Sequence, residues 1–563
     1  MVASVHSESE KLGDVGSIDE TMNVPSKDGK LAERFDVIVV GAGLGGLATA
    51  SLLAQRGRKV LVLDKHNIPG GYATNFKRKD FQFDVSLHSF DGMLDGAESY
   101  ECIKACGVAD MVEFLPHKQL YRYRSGEIDL AVKERNLEAY QTQLVALFPE
   151  ERENIRRLFQ EADRTYANVA GFLYKPWPFL MRLILTPFLF HRVLRYENTT
   201  VHGFFSKFTQ NERLKSVLAA QWTYYGLPPQ RLAFPYFSYP FIDYLRNGGY
   251  SIKGGSQSLS NALCKVIEKH GGKIVLSSPV KQIHLDHSGR VCAVSSKKTG
   301  RVEADTVIAN VSPYAVTELV GRHHFRAKFL AKLQQSKVST SGFQVYLGLD
   351  CSLKELGIGP EETIMFMSDN PDLVEQHQVM MENRISANRS GWSLNFFSNV
   401  DPSLVPAGKS SLGIFTLLGD DDWQALSKPE YKQRKQELTE ILLDKAEKVM
   451  PGLRKHIEVC EAGSPRTLTK FTANPHGAIY GFEQSIHQSG LFRRFRQKYP
   501  IPGLYQVGAW TFPGAGFIGT LLSARTLVDR YFAQHKKPRF SPKPSSFAAI
   551  DLSATKLNSI NNK

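Results

Sequence analysis

The stretch that decides the fold is FDVIVVGAGLGGLATASLLAQRGRKVLVLDK, residues 35–65. It opens with a short apolar run rich in β-branched residues, which predicts a buried strand. A glycine-rich turn follows at once, and then an Ala- and Leu-rich stretch over 47–56 that suits a helix ending at Gly57. A second apolar strand over 58–63 ends at Asp64. This order of strand, turn, helix and strand predicts a βαβ unit.

The glycines of the turn match a phosphate-binding pattern. Gly41, Gly43 and Gly46 fill the template G-x-G-x-x-G: the first permits the tight turn, the second lets a pyrophosphate approach the backbone, and the third lets helix and strand pack closely. The helix N-terminus offers free N–H groups to the phosphates. Asp64 lies about 20 residues further on, where a carboxylate accepts from a ribose hydroxyl, and Lys65 beside it joins the candidate cofactor-binding residues. The unit therefore predicts a dinucleotide site.

A second glycine pair, Gly70 and Gly71, follows the second strand on the same unit. A simple nicotinamide dehydrogenase has no need for this pair. In a flavoprotein it would let the backbone pass close to the flavin-side phosphate and the ribitol. The pair therefore favours a flavin over a nicotinamide cofactor.

Another glycine-rich turn lies near the end of the chain, in IPGLYQVGAWTFPGAGFIGTLLSARTLVDRYF. Residues 504–507 predict a strand that Gly508 interrupts. Pro513, Gly514 and Gly516 then form a loop that opens onto a predicted helix over 518–532. A helix N-terminus of this kind is a second anion site. One dinucleotide bound from both ends of the chain is a flavoprotein layout.

Five motifs together resemble the phytoene desaturase family of FAD enzymes, which includes carotenoid desaturases, carotenoid cis–trans isomerases and retinol saturases. They extend over residues 35–533. Together they are specific for the superfamily but much less specific for the reaction that the protein catalyses. The motifs are VIVVGAGLGGLATA, IPGGYATNFKRKDFQFDVSLH, GGYSIKGGSQSLSNAL, ANPHGAIYGFEQS and GLYQVGAWTFPGAGFIGTLLSA.

The resemblance implies roles for individual residues. Desaturases often place Arg where this chain has Tyr72, which moves it toward the isomerase and saturase branches. Ser86 replaces the glycine of a family F-x-F-D-x-G segment, and His88 resembles a histidine found there in retinol saturases. His88 and Tyr480 are the candidate catalytic residues because of their places in family motifs. The implied cofactor-binding residues are Gly41, Gly43, Gly46, Asp64, Gly70, Gly71, Val280 (whose backbone would meet the adenine), Gly508, Pro513, Gly514 and Gly516.

The resemblance also implies the fold class, which is α/β with an amine-oxidase-like architecture. A discontinuous Rossmann-like FAD-binding domain is assigned to 34–110, 248–325 and 475–535. An inserted α+β domain for substrate and membrane contact takes 111–247 and 326–474. Residues 1–33 are interpreted as a disordered leader and residues 536–563 as a basic flexible tail. Two apolar stretches of the insert, 341–350 and 411–419, predict strands.

The charge and composition exclude some classes of protein. The chain has 563 residues and a formal charge of +14, but it resembles no nucleic-acid-binding module. It has no charge-free apolar run long enough to span a membrane, and its start lacks the layout of a secretory signal. Scattered cysteines without C-x-x-C fit a reducing compartment. A basic cluster (Arg493, Arg494, Arg496 and Lys498) is typical of a solvated face, with anionic lipid as the main alternative.

Two segments of the insert bear on partners. GFLYKPWPFLMRLILTPFLFHRVLRY, residues 171–196, mixes large apolar side chains with basic groups and no acid. This pattern fits a segment lying in a membrane interface, and an internal helix pair is the alternative. Residues 221–244 are dense in aromatics, which suits either a channel for a planar polyene or a packed core. We expect a peripheral membrane protein on the cytoplasmic side or in an organelle.

The function that follows is that of an FAD-dependent oxidoreductase acting on C=C bonds of an apolar polyene, a carotenoid or a retinoid. The flavin would carry the redox chemistry, by saturation, desaturation or isomerisation with reduced flavin, and NAD(P)H is a candidate electron donor. The alternatives are an amine-oxidase-like enzyme on a soluble amine and a non-enzymatic scaffold that keeps the flavin fold. The sequence leaves open the polyene, the direction, the proton donor and the oligomeric state.

Overall fold

The structure is a computed structural model that describes residues 33–532 except 87, 134, 175–178, 386–388, 421–422 and 491–492. The predicted leader, apart from residue 33, and the predicted tail lie outside the described residues. No helix in the described ranges is long and apolar enough to cross a membrane.

The strands are named in chain order. They are β1 (Phe35–Val40), β2 (Val60–Leu63), β3 (Asn75–Arg78), β4 (Phe81–Asp84), β5 (Phe90–Asp91), β6 (Phe114–Pro116), β7 (Tyr121–Ser125), β8 (Ile128–Val132), β9 (Gly249–Ile252), β10 (Lys273–Val275), β11 (Val280–Leu285), β12 (Val291–Ser296), β13 (Gly300–Ala309), β14 (Ser341–Leu349), β15 (Thr363–Phe366), β16 (Trp392–Asn395), β17 (Ser410–Leu418), β18 (Ile457–Gly463) and β19 (Leu504–Gln506).

The α-helices are named likewise. They are α1 (Leu44–Gln55), α2 (Glu98–Ala105), α3 (Leu137–Leu147), α4 (Arg152–Tyr174), α5 (Phe179–Leu189), α6 (His191–Arg195), α7 (Val201–Phe205), α8 (Glu212–Leu218), α9 (Phe234–Asn247), α10 (Ser256–Lys269), α11 (Pro313–Val320), α12 (Ala327–Gln335), α13 (Leu373–Met381), α14 (Phe397–Val400), α15 (Lys428–Val449), α16 (Pro465–Thr472) and α17 (Phe517–Tyr531). A 3₁₀ helix over Ala220–Tyr225 also bears on the site.

The first sheet has the strand order β10-β2-β1-β13-β12-β11, with β19 pairing with β13. Strands β10, β2, β1, β13 and β19 run parallel, whereas β12 and β11 are antiparallel additions. The chain moves from β1 to one side and returns on the other side, so β1 and β13 flank a topological switch point. Ligands of open α/β sheets bind at the carboxyl ends of the strands at such a point.

Helices α1, α10 and α17 cover one face of the first sheet and share its apolar core. Strand β1 is buried on both faces because α11 and the antiparallel strands enclose the other side. A strand buried on both faces is apolar on both, which is why 35–40 shows no polar alternation after the exposed Asp36 at its start. The predicted βαβ unit is confirmed, and α1 begins at Leu44, three residues before its predicted start.

The second sheet has the order β18-β14-β17-β16-β15-β7-β8. Phe343, Val345 and Leu347 of β14 pack with α15 on one face, so Gln344 and Tyr346 point to the opposite face, because side chains alternate along a strand. The strands predicted at 341–350 and 411–419 are confirmed as β14 and β17. The strands of this sheet come only from the two assigned insert segments. The strands of the first sheet come from the three segments assigned to FAD, and the division into domains stays a prediction.

Candidate cofactor and substrate site

One large cavity joins the carboxyl edge of the first sheet to the inner face of the second. Its volume is about 2680 Å³, whereas a site for a single small molecule commonly measures about 300–1,000 Å³. Part of the volume is an outer groove beside α15, lined by Lys432 and Lys435. The rest runs from the glycine turn after β1 to an aromatic pocket between β14, β17 and α9. The cavity therefore has room for a dinucleotide and a second ligand.

The sequence-predicted residues are distributed around this cavity in two ways. Gly46, Gly508 and Gly514 lie behind its wall. Those that line the cavity are Gly41, Gly43, Asp64, Lys65, Gly70, Gly71, His88, Val280, Tyr480, Pro513 and Gly516.

The glycine turn after β1 admits no side chains at its key positions. A Cβ atom on Gly46 would lie 2.1 Å from the carbonyl oxygen of Gly41, and one on Gly43 would lie 2.8 Å from Asn310 Nδ2. Gly41 itself has a φ of +102°, which L side chains rarely adopt. The close packing of the turn against its own backbone and against Asn310 therefore explains the pattern G-x-G-x-x-G.

The N-terminus of α1 is open to an anion. Gly43 is its N-cap residue, no side chain caps it, and its first turn carries no acid. The first N–H groups of a helix lack intrahelical partners and lie at the positive end of the helix dipole. This cradle fits the pyrophosphate of a dinucleotide.

Asp64 follows β2 at the same sheet edge. Its Oδ2 accepts from the Ala42 N–H (2.5 Å) and its Oδ1 from the His66 N–H (2.7 Å). Burial raises the pKa of Asp64, and these two hydrogen bonds act in the opposite direction. Lys65 Nζ donates to the carbonyl oxygen of Lys470 (2.8 Å). The carboxylate is thus fixed against the glycine turn, where a ribose would lie.

The second glycine pair packs directly on the first turn. The Gly70 N–H donates to the Ala42 carbonyl (2.8 Å), and Gly70 has a φ of +123°. A Cβ atom on Gly71 would lie 3.2 Å from Gly43 Cα. Because the two turns touch through backbone alone, the pair is part of the same cradle.

The closing motif brings a second helix N-terminus to this cradle. Gly516 is the N-cap of α17, which has no side-chain cap and no acid in its first turn, and a Cβ atom there would meet open space. Behind it, a Cβ atom on Gly508 would lie 2.3 Å from Asn310 Oδ1. Two uncapped helix ends therefore face one cavity, as a dinucleotide held from both ends of the chain requires.

Arg494 corrects the interpretation of its basic cluster as a solvated face. Its guanidinium lines the cavity, donates to the Pro513 carbonyl and lies over the Tyr236 ring at 5.1 Å. Burial lowers the pKa of Arg494 to about 10. The sequence could not separate it from Arg496, which is exposed, because both belong to one run of cations.

The aromatic stretch 221–244 contributes both to a packed core and to the wall of the cavity. Trp222, Phe237 and Phe241 are buried in an apolar core. The tyrosines of the same stretch line the cavity, namely Tyr224, Tyr225, Tyr236, Tyr239 and Tyr244.

His88 lies in the aromatic part of the cavity. Tyr224 and Phe415 contact its ring edge-on, each with centroids 5.7 Å away. Burial lowers the pKa of His88 to about 4, so the imidazole is neutral at neutral pH. Its Nε2 atom is buried and has no hydrogen-bond partner among the described residues.

Tyr480 lies on the wall of the same cavity. Its hydroxyl donates to the Thr223 carbonyl at 3.4 Å, and burial raises the pKa of Tyr480 well above its usual value. The structure thus brings both candidate catalytic residues to one cavity, but neither is a strong acid near neutral pH. Their catalytic roles stay predictions.

Sequence reasoning missed a pair of carboxyl groups on this wall, the half-buried Asp91 and the buried Asp243. Asp91 ends β5 and lines the cavity. Burial, and then the charge of Asp243, raise the pKa of Asp91 to about 7. Asp243 on α9 is 2% exposed. Its Oδ1 accepts from the Tyr166 hydroxyl (2.7 Å), while its Oδ2 has no partner among the described residues. Two carboxyl groups so close in an apolar setting retain a proton.

The chain matches a family described as "Flavin containing amine oxidoreductase" over residues 44–530. This span includes the βαβ unit from the start of α1, the middle segment and most of the closing helix.

Curated relatives match nearly the full length. The all-trans-retinol 13,14-reductase of Danio rerio is 28% identical, covering 89% of this chain and 87% of the relative. A 4,4'-diapophytoene desaturase of Methylomonas sp is 26% identical, covering 91% and 97%. Prolycopene isomerase 1, chloroplastic, of an Oncidium hybrid cultivar is 26% identical, covering 90% and 86%.

Solved structures share the fold at lower identity. Wild-type putrescine oxidase bound to putrescine has a TM-score of 0.60 at 14% identity, covering 89% of this chain and 100% of that one. A likeness at this identity shows the amine-oxidase-like architecture alone.

Proposed function

Because the chain belongs to the family of flavin-containing amine oxidoreductases, we propose that it is an FAD enzyme that reduces a C=C bond of an apolar polyene. The observation that carries the proposal is the single cavity, which joins an open dinucleotide cradle to a pocket walled by tyrosines and Phe415. Retinoids and carotenoids are the substrate classes named for the relatives that match along nearly the whole chain. Reduction is preferred to desaturation because of the proton that Asp91 can supply.

The cofactor would be held by groups already described. The uncapped N-termini of α1 and α17 suit its phosphates and its flavin ring, and Asp64 suits its adenosine ribose. A bound FAD supplies the two-electron chemistry that no side chain offers. The protein's own contribution is to orient the polyene, exclude water and move a proton.

Asp91 is our proposed proton donor. Proton transfer works best when the pKa of the acid lies near the operating pH, and Asp91 meets this condition at about 7. Saturation of one C=C bond adds a hydride to one carbon and a proton to the other. Asp91 would give up the proton, and the charge of the neighbouring Asp243, which raises the pKa of Asp91, would favour its reprotonation from water.

Membrane contact is the second part of the proposal. Four large apolar side chains of α5 are exposed: Met181, Ile184, Phe188 and Leu189, of which Phe188 is 74% and Ile184 58% exposed. Phe172 and Leu173 of the adjoining α4 line the cavity. An exposed apolar patch beside a cavity mouth suits a protein that takes its substrate from lipid. Trp177, an aromatic residue of the same stretch and a candidate for the lipid headgroup level, lies outside the described residues.

The experiment is an incubation of purified holoprotein with liposomal carotenoids and retinol, with the flavin oxidised or pre-reduced by NADPH or dithionite. We expect a product heavier by two hydrogen atoms from the reduced protein. A product of unchanged mass whose absorption band is shifted would show that the protein isomerises the polyene instead of reducing it. Turnover of putrescine with no change in any polyene would contradict the proposal in favour of an amine oxidase.

A further inference from the structure

Two buried polar atoms in the aromatic pocket have no hydrogen-bond partner among the described residues. They are Nε2 of His88 and Nε2 of Gln344. The two side chains are 9% and 6% exposed, and both line the cavity. An unsatisfied buried polar atom costs about 1–3 kcal/mol, and native structures contain few of them. Two on one cavity wall indicate that something else completes their hydrogen bonds.

Both atoms belong to one corner of the pocket. Gln344 lies within hydrogen-bonding reach of the His88 imidazole. Gly413 on the neighbouring strand β17 makes room for the amide, since a Cβ atom there would lie 2.7 Å from Gln344 Nε2. Phe415 of the same strand and Tyr224 hold the His88 ring from either side. The corner is thus a small polar site in an otherwise aromatic wall.

The corner lies on the substrate side of the cavity. Gln344 and Phe415 project from the second sheet. The glycine turns that form the dinucleotide cradle lie elsewhere: they follow strands of the first sheet or precede α17 near the end of the chain. The unpartnered atoms therefore face the space left for a second ligand.

The chemistry of the two atoms selects a functional group. The His88 ring is neutral, so its Nε2 atom accepts or donates a hydrogen bond according to the tautomer, whereas the Gln344 amide nitrogen is a donor. A hydroxyl group satisfies both atoms in either tautomer, because it accepts from the amide and either donates to Nε2 or accepts from it. An aldehyde or a carboxylate only accepts, and a hydrocarbon does neither.

We propose that His88 and Gln344 bind a terminal hydroxyl group, so that the substrate of this chain is a polyene alcohol rather than a carotene-like hydrocarbon. The inference rests on the proposed function and narrows its substrate class. A site built to hydrogen-bond a hydroxyl discriminates strongly against the analogue that lacks it, because the buried polar groups are then left unpaired.

The test measures binding without turnover. Oxidised holoprotein, with no electron donor, is titrated with retinol, retinal, retinoic acid and the deoxy analogue that carries a methyl group in place of CH₂OH. Binding is followed by quenching of tryptophan fluorescence. Two hydrogen bonds of about 1 kcal/mol each predict that retinol binds about 30-fold more tightly than the deoxy analogue.

The variants His88→Phe and Gln344→Met replace each side chain with an apolar one of similar shape and remove its hydrogen bond. We expect each to reduce the preference for retinol about fivefold or more while the deoxy analogue binds as well as before. Thr439→Val, which removes a hydroxyl from the outer groove of the same cavity, is the matched control and should leave the preference unchanged.

Three outcomes overturn the inference. The first is equal binding of retinol and the deoxy analogue by the wild-type protein, which needs no variant to fold. The second is an unchanged preference in both variants. The third is loss of FAD or a shifted flavin spectrum in the variants, which would assign the two atoms to the cofactor. If no polyene binds at all, the result would instead contradict the proposed function itself.

Discussion

At the scale of single residues, burial moves the proton affinities of two neighbours in opposite directions. His88 and Asp91 are three positions apart on one cavity wall. Burial lowers the pKa of His88 to about 4 and, with the charge of Asp243, raises the pKa of Asp91 to about 7. Both shifts favour the neutral form, which an apolar cavity prefers. The histidine thereby becomes an acceptor and the aspartic acid a donor.

The variant Asp91→Asn tests the proton donor. It keeps the shape and loses the acid, so we expect turnover of the polyene to fall by about 10²- to 10⁴-fold while FAD content and retinol affinity stay close to wild type. Single-turnover rates with pre-reduced protein measure the effect. Ser99→Ala, which removes another buried polar group near Gly92, is the control. Turnover within twofold of wild type would remove Asp91 from the chemistry.

The same variant makes a prediction about stability. Between the ordinary value of 3.8 and about 7, Asp91 keeps its proton in the folded state but would lose it in the unfolded state. The free energy of unfolding therefore falls as pH rises through this window and levels off above it. Relative to Asp91→Asn, the wild-type protein should lose up to about 4 kcal/mol between about pH 4 and pH 7. Urea unfolding of both holoproteins across this range measures it, and a difference independent of pH would contradict the raised pKa.

At the scale of elements, the glycine turn between β1 and α1 sets how closely the helix packs against the strand. The same turn forms part of the dinucleotide cradle. A methyl group on Gly46 would lie 2.1 Å from the Gly41 carbonyl, and backbone cannot yield there without moving α1 away from β1. The helix end and the turn would then no longer face the phosphates together.

Gly46→Ala should therefore weaken FAD binding strongly while the protein still folds. We expect purified protein with less than a tenth of the wild-type flavin, measured by absorbance after denaturation, and a lowered melting temperature. Gly463→Ala is the matched control because its added methyl group meets neighbours only at 3.7 Å and beyond. Full flavin content in Gly46→Ala would mean that the turn does not hold the cofactor.

The elements that sequence could predict are those whose signal is local. The turn with Gly41, Gly43 and Gly46 and the closing turn with Gly516 each carry their own pattern within a few residues. Asp91 and Asp243 lie far apart in the chain, and the packing of β5 against α9 brings them together. His88 and Gln344 are also far apart, and the position of β14 brings them together. Contacts between residues far apart in the chain leave no periodicity or spacing in the sequence. The sequence therefore singled out His88 but predicted neither pair.

At the scale of the whole molecule, the two sheets enclose one cavity that reaches Phe172 and Leu173 near the end of α4, and α5 follows shortly after in the chain. Among the side chains that the structure describes, Ile184 and Phe188 of α5 are the most exposed large apolar ones.

The double variant Ile184→Glu with Phe188→Glu should weaken binding to vesicles, since it places two charges where apolar groups would enter lipid. We expect at least a tenfold lower fraction of protein sedimenting with phosphatidylcholine–phosphatidylserine vesicles, at unchanged FAD content. Val374→Glu, a change at an exposed apolar residue on α13, is the control. Equal sedimentation of all three proteins would leave α5 without a role at the membrane.

The central claim is that one cavity brings FAD and a polyene together for reduction of a C=C bond. The most direct measurement is an anaerobic stopped-flow experiment in which pre-reduced holoprotein is mixed with retinol in vesicles. The account predicts that the yellow absorption of oxidised flavin returns at the same rate at which the polyene absorption declines. Flavin that stays reduced in the presence of retinol and of every carotenoid tried would contradict it.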